Sequence, residues 1–118
     1  MSQRRRQADA RGRDAEAEAA QWLEAQGWHV LDRRRKTPLG EIDLVCRGEG
    51  AVVFVEVKWR KSEDQLDHAI DAHRLRRVAA AVEAVAHEYA HNGEDIRIDV
   101  VLLAPDAKPR HIVNAWMG

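Results

Sequence analysis

Hydrophobic and polar residues alternate along this chain in a pattern that predicts two helices and five strands. From about residue 8 to residue 26 the chain is rich in Ala, Glu and Gln, which favour helix, and Gly27 supplies a stop signal. From about residue 63 to residue 91, apolar positions recur at spacings of three and four, which predicts a second helix. Its apolar stripe consists of Leu75, Val78, Val82, Val85 and Tyr89.

Runs rich in β-branched residues predict the strands, which cover residues 28–31, 41–47, 51–59, 97–103 and 112–116. Residues 33–40 are predicted to form a basic loop, because Pro38 cannot donate a hydrogen bond to a ladder. The resulting order, αβββαββ, is typical of an α/β domain in which helices flank a central mixed sheet.

Gly48, Glu49 and Gly50 separate the second and third strands and therefore predict a β-hairpin. A tight turn there produces one wholly apolar face, with the facing pairs Ile42–Val57, Leu44–Val55 and Cys46–Val53. The opposite face then carries the pairs Glu41–Lys58, Asp43–Glu56 and Val45–Phe54. This register brings two carboxylates face to face.

Asp43 and Glu56 are expected to repel each other, because like charges at opposed strand positions destabilise a sheet. A divalent cation would remove this cost, since Mg²⁺ is commonly held by one or two carboxylates, waters and phosphate oxygens. Lys58 lies two positions beyond Glu56, on the same face, where its ammonium suits a phosphate oxygen. Together these side chains suit metal-assisted phosphodiester hydrolysis.

Glu16 adds a carboxylate from the first helix. It shares a face with small apolar residues and with Leu23, and an acid on an inward stripe needs a partner. Glu16 is therefore a candidate for a further metal ligand or a base.

A plainer alternative places Lys58 between Glu41 and Glu56 on a solvated sheet face, with Asp43 in water. The apolar Val45 and Phe54 on the same face favour partial burial instead, and buried acids need partners.

Composition excludes some kinds of site and of protein. The chain has 118 residues, a net charge of -1 and a single cysteine, Cys46, which excludes an internal disulfide or thiolate zinc cluster. No apolar run approaches the roughly 20 residues that a membrane-spanning helix needs, so we expect no membrane partner and a cytoplasmic protein. Residues 1–11 are predicted to form a flexible basic arm, and residues 12–118 a single domain.

Basic residues cluster in spite of the nearly neutral total, and a local patch matters more to a polyanionic partner than net charge does. The candidate nucleic-acid-binding residues are Arg34, Arg35, Lys36, Arg60, Lys61 and Arg74. Trp59, next to Arg60, is the best candidate among the four tryptophans to stack on an unpaired base. A binding module that does not cut is the main rival to a nuclease, and an assembly partner is a third hypothesis.

Four motifs carry a resemblance to a known family: Gly12-x-x-x-Glu16-x-x-Ala19, Gly40-Glu41-Ile42-Asp43-Leu44, Phe54-Val55-Glu56-Val57-Lys58-x-Arg60 and Arg97-Ile98-Asp99-Val100. Over about residues 12–116 the chain resembles the small bacterial YraN proteins, which are predicted to be endonuclease-like. That family resembles the PD-(D/E)XK nucleases, including archaeal Holliday-junction resolvases.

The resemblance implies a restriction-endonuclease-like (tRNA endonuclease-like) core that binds Mg²⁺ or Mn²⁺ and nucleic acid, with DNA as the expected substrate, and it allows a homodimer. It implies Asp43 and Glu56 as metal ligands together with Glu16 and the Val57 carbonyl, and Lys58 as a catalytic residue. The family usually has Asn where this chain has Arg34, and Lys where it has Arg74. Arg74 can still bind phosphate but cannot transfer a proton.

The segment His87-Glu88-Tyr89-Ala90-His91 matches the zinc-protease pattern H-E-x-x-H. Both histidines point away from the apolar stripe of the predicted helix, and no third ligand is obviously placed downstream. They are therefore interpreted as surface histidines near the end of a helix.

Overall fold

The computed structural model describes residues 3–48 and 50–116, with side chains from Arg11 onward. Its helices are α1 (Gln3–Ala25) and α2 (Ala72–Val85), and its strands are β1 (His29–Thr37), β2 (Gly40–Gly48), β3 (Ala51–Trp59), β4 (Asp95–Leu103) and β5 (Arg110–Ile112). Short 3-10 turns at Glu63–His68 and Ala86–Glu88 flank α2. The predicted order αβββαββ is confirmed.

The five strands form one sheet in the order β1-β2-β3-β4-β5. β3 and β4 are parallel, with α2 in the crossover between them, and the other neighbours are antiparallel. α1 packs on one face around Leu23, and α2 packs on the other face around Val78. The fold is therefore a mixed α/β fold with a helix on each face, which explains why the central strands are apolar almost throughout.

The hairpin register is confirmed near its turn, where Leu44 faces Val55 and Cys46 faces Val53. The ladder between β2 and β3 ends at the Leu44–Val55 pair, so the predicted facing of Ile42 with Val57, Asp43 with Glu56 and Glu41 with Lys58 is wrong. Ile42 packs on the α2 face with Val45, opposite to its predicted face. Before Leu44, the first residues of β2 pair with β1 and not with β3.

β1 is the largest departure from the predicted elements. It continues to Thr37, so Arg34, Arg35 and Lys36 lie on a strand and not in a loop. Thr37 Oγ1 donates to the Gly40 carbonyl at 2.7 Å and closes the turn around Pro38. A proline in that turn costs no ladder bond, because the strand has already ended.

The predicted starts of both helices and the predicted last strand also differ from the structure. α1 begins at Gln3, so the backbone of residues 3–11 is helical where a flexible arm was predicted; Arg, Gln and Ala all favour helix. The predicted second helix is interrupted before α2, where Asp71 caps the new N-terminus by accepting the His73 N–H at 2.9 Å. The last strand is Arg110–Ile112, not residues 112–116. Among the described residues, no helix is both long and apolar enough to cross a membrane.

Candidate functional site

Asp43 lies where β2 and β3 stop pairing. Its Oδ2 accepts the backbone N–H of Val57 at 2.8 Å, so a side chain satisfies a strand donor that the shortened ladder leaves open. Only 7% of Asp43 is exposed. Burial and the nearby charge of Glu56 raise its pKa to about 7, against the lowering effect of the Val57 hydrogen bond. The protein therefore holds a carboxylate where ionisation is costly.

Glu16 and Glu41 bring two more carboxylates to Asp43. One oxygen from each of these three residues lies within 4.8 Å of the others. Burial raises the pKa of Glu16, and the charge of Glu41 acts in the same direction, against Arg34. Arg34 Nε is 3.4 Å from Glu16 Oε2 and 3.9 Å from Glu41 Oε1. One guanidinium thus neighbours two of the three acids.

Glu56 approaches the same region from β3 and is 3% exposed. Its Oε1 is 3.4 Å from Lys58 Nζ and 3.3 Å from Arg74 Nε. Its Oε2 is buried and has no hydrogen-bond partner within the described part of the chain. A buried carboxylate oxygen without a donor costs free energy, so this atom requires an explanation. A cation or a ligand donor at Oε2 would supply one.

The donor set suits a hard divalent cation. Glu16, Glu41, Asp43 and Glu56 offer only carboxylate oxygens, which Mg²⁺ and Mn²⁺ prefer and which zinc sites built on Cys and His do not resemble. The charges of Glu41 and Glu56 raise the pKa of Glu16, and those of Glu56 and Glu16 raise the pKa of Asp43, so the carboxylates lie close together. The residues present therefore fit a divalent cation.

The four predicted site residues, Glu16, Asp43, Glu56 and Lys58, lie in one region, although they come from three elements. Asp43 and Glu56 are buried, so the solvated-face alternative is wrong for both. Glu56 is not part of the group formed by Glu16, Glu41 and Asp43. Its charge nevertheless raises the pKa of Asp43 and of Glu16. Val57 contacts Asp43 through its N–H, whereas the resemblance implied a role for its carbonyl.

Glu41 is the site residue that the sequence analysis missed. It was predicted to face Lys58 across the hairpin, but in the structure its carboxylate lies close to those of Glu16 and Asp43. Its position two residues before Asp43, which places both on one side of a strand, was the available signal.

The candidate basic residues divide into two groups. Arg34 and Arg74 contact the carboxylates of the site. Arg35 turns away from it and pairs with Glu88 at 3.0 Å. Lys36 and Lys61 are exposed, and Arg60 is half-buried and donates from Nη1 to the Trp59 carbonyl at 2.8 Å.

The H-E-x-x-H segment is not on a regular α-helix, because α2 ends at Val85. His87 and His91 are exposed, as predicted, and Glu88 is engaged by Arg35. The group of three potential ligands found within the described chain contains no histidine. The pattern lacks the geometry of a zinc-protease site.

Comparison with known proteins identifies the family. The model of "Uncharacterised protein family UPF0102" matches residues 15–103. A "UPF0102 protein" from Erythrobacter litoralis is 62% identical over 96% of this chain and 97% of its own length. A similar protein from Sphingopyxis alaskensis is 54% identical over 92% of this chain and 94% of its own length. Another, from Rhizorhabdus wittichii, is 46% identical over 98% of each chain. This chain therefore belongs to the uncharacterised family UPF0102, the YraN family whose motifs it carries.

Proposed function

We propose that this protein is a Mg²⁺- or Mn²⁺-dependent nuclease that hydrolyses phosphodiester bonds of DNA. The observation that carries the proposal is the burial of Asp43 and Glu56 close to each other, with Glu56 Oε2 unpartnered among the described residues. Buried carboxylates that repel one another destabilise a fold unless positive charge balances them. A site that keeps them serves a purpose other than stability.

The fold supports the same proposal at a coarser level. A five-stranded mixed sheet with the order αβββαββ is compatible with a restriction-endonuclease-like core. The resemblance of its motifs to the PD-(D/E)XK nucleases points to that particular core. A fold alone does not imply an activity, so the argument rests on the site.

Asp43, Glu16 and Glu41 would hold the cation, with Glu56 and the Val57 carbonyl as further candidates. Such an ion supplies charge that polarises a phosphoryl group and acidifies a bound water. Glu16, whose pKa burial raises, can accept a proton at a carboxylate oxygen. Glu16 would therefore be the acceptor for the proton that the bound water loses.

Lys58 and Arg74 supply the positive charge of the site. Both lie within 3.4 Å of Glu56 Oε1, so each can be shared between that oxygen and a substrate phosphate. Arg74 acts as a fixed charge, because a guanidinium does not lose its proton in proteins. Lys58 is the residue that can orient the attacking water or neutralise charge on the phosphate.

The exposed Arg34, Lys36 and Lys61 would contact the DNA backbone, with Arg35 a weaker candidate because Glu88 already neutralises it. If the substrate is branched DNA, as for the resolvases that the family resembles, two symmetric cuts require a homodimer with paired sites.

A binding module without turnover is the second candidate, and the ion pairs favour it. Lys58, Arg74 and Arg34 balance much of the carboxylate charge without a metal. In that case the acids would hold the basic residues in place for binding.

The test is cleavage of labelled single-stranded, duplex and four-way-junction DNA with Mg²⁺ or Mn²⁺. We expect cutting by the wild type that is lost by at least 100-fold in Asp43→Ala and in Lys58→Ala, purified identically. Asp14→Ala, at an exposed acid on α1, is the matched control and should cut normally. Binding without cutting in either metal would favour the second candidate.

A further inference from the structure

A cavity of ≈ 330 Å³ opens beside the carboxylate site, between the N-terminal half of α1 and the end of β3. It is lined by Arg11, Gly12, Val57, Lys58, Trp59 and Arg60. Val57 is the residue whose N–H holds Asp43, and Gly12 lies about one helical turn before Glu16. The cavity therefore adjoins the proposed site along both elements.

The lining of this cavity combines positive charge with an aromatic surface. The Arg11 guanidinium carbon lies 4.8 Å from the centre of the Trp59 ring, in a cation–π arrangement. Arg60 is tethered through one nitrogen, Nη1, to the Trp59 carbonyl at 2.8 Å. None of the described residues that line the cavity is acidic. This chemistry recognises an anion that carries a flat apolar group.

We infer that this cavity binds one unpaired nucleotide of a single-stranded segment, and its position next to the cleaved bond rests on the proposed function. The phosphate would contact Arg11 and Arg60, and the base would stack on the Arg11–Trp59 pair. A base inside a duplex already stacks on its neighbours, so only an unpaired base can enter such a cavity. The substrate is accordingly single-stranded, or a branched structure with a single-stranded segment.

Gly12 offers a way to block the cavity without weakening the fold. A Cβ built on Gly12 meets no heavy atom within 4 Å, so a larger side chain has room to enter the space. Gly is also a poor helix former, and Gln is a better one inside a helix. Gly12→Gln should therefore fold at least as well as the wild type while it fills the cavity.

The experiment measures fluorescence anisotropy of a labelled oligothymidine and of a duplex of equal length, with EDTA present to prevent cutting. We expect Gly12→Gln, Arg11→Gln and Trp59→Ala each to weaken single-strand binding about tenfold, and duplex binding less than twofold. Arg13→Gln is the matched control, because Arg13 is exposed on α1 and points away from the Arg11 side. It should bind both probes within twofold of the wild type.

Equal losses for single strand and duplex would overturn the inference, since they would indicate phosphate contacts without a base. Unchanged binding in Gly12→Gln, or no binding of the oligothymidine by the wild type, would overturn it as well. If the wild type cuts and Gly12→Gln binds normally, this inference fails and the nuclease stands. If nothing cuts but Gly12→Gln loses single-strand binding, the nuclease fails and the nucleotide cavity stands.

Discussion

The chemistry of this protein is concentrated in a few side chains whose burial conflicts with their charge. Asp43 is the clearest case, because burial and the Glu56 charge raise its pKa to about 7 while the Val57 N–H holds it in place. A carboxylate with this environment favours a bound proton or a bound cation. The cost of ionising Asp43 is therefore open to measurement.

Replacing Asp43 by Asn should stabilise the protein in EDTA at pH 8 by on the order of 2 kcal/mol. The folded pKa of Asp43, about 7, lies above its unfolded value, so the contribution of Asp43 to stability is fully present below about pH 4. That stability is lost as pH rises through 7, and Asn removes the loss while its side-chain oxygen still accepts the Val57 N–H. Thermal unfolding between pH 4 and pH 8 measures the growing difference.

The matched control is Asp14→Asn, at an exposed acid on α1, which should change stability by less than about 0.5 kcal/mol at any pH. An Asp43→Asn variant that is less stable than the wild type at pH 8 in EDTA would contradict the assignment of repulsion and burial to this residue.

Arg34 has a backbone φ of 53, a left-handed conformation that costs a residue with a Cβ about 1 kcal/mol. Asn tolerates this conformation better than Arg does. The ion pair with Glu16 is partly exposed and stabilises by less than about 1 kcal/mol. Arg34→Asn should therefore leave stability unchanged or raise it by about 0.5 kcal/mol in urea unfolding.

Arg33→Asn provides the comparison, because Arg33 is not among the residues with positive φ and pairs with Glu24 at the surface. It should give no gain. A loss above about 1 kcal/mol in Arg34→Asn would mean that the guanidinium contributes more than the backbone conformation costs.

Among the elements, those defined by apolar spacing were predicted well and those defined by polar contacts were not. The stripe of α2 is buried as predicted from Leu75 to Val85. β1 was missed beyond Leu31 because it is an edge strand rich in arginine, and edge strands are often charged. A prediction based on hydrophobicity has no signal for such a strand.

The candidate site was predicted in its residues and only partly in its geometry. Asp43 and Glu56 were identified correctly as neighbours, but through a facing register that does not extend beyond Leu44. A turn determines the pairing of the residues closest to it, and the pairing farther away depends on the neighbouring strand. Glu41 was missed for this reason, since its position follows from β1 and α1.

α2 carries Arg74 into the site, and its first turn depends on Asp71, whose carboxylate accepts the N–H groups of His73 and Arg74. Asp71→Ala should cost about 1 kcal/mol in unfolding and should weaken DNA binding by loosening Arg74. Asp71→Asn is the matched control, because Asn caps helices as well as Asp does. Equal effects of the two substitutions would indicate that the charge of Asp71, and not its cap, is what matters.

Across the fold as a whole, a third buried carboxylate, Asp99, connects β4 to the segment that follows it. Asp99 on β4 is 0% exposed and accepts hydrogen bonds from Arg97 Nε at 3.0 Å and from the Asn114 N–H at 2.9 Å, while His111 Nε2 lies 2.6 Å away. Burial acts to raise its pKa, but these hydrogen bonds outweigh it and hold the pKa below its usual value. The Arg97-Ile98-Asp99-Val100 motif is thus explained by the contribution of Asp99 to the stability of the fold.

Asp99→Asn should destabilise the fold by about 3 kcal/mol at pH 7, because it leaves the partly buried Arg97 guanidinium without its anion. The pKa of Asp99 is lowered by folding, so its contribution is present above the unfolded pKa and is lost as pH falls through the folded value. Urea unfolding from pH 3 to pH 7 should show a weaker acid dependence in the variant. Asp95→Asn, at an exposed acid on the same strand, should behave like the wild type, and an unchanged acid dependence in Asp99→Asn would contradict this role.

Whether the carboxylates around Asp43 form a metal centre can be measured by titrating Mn²⁺ into the full chain in an isothermal calorimeter. We expect one binding site at pH 8, lost or weakened at least tenfold in Asp43→Asn and retained in Asp14→Asn. Binding that is equal in all three proteins, or absent from the wild type at millimolar Mn²⁺, would contradict the metal centre and with it the proposed nuclease.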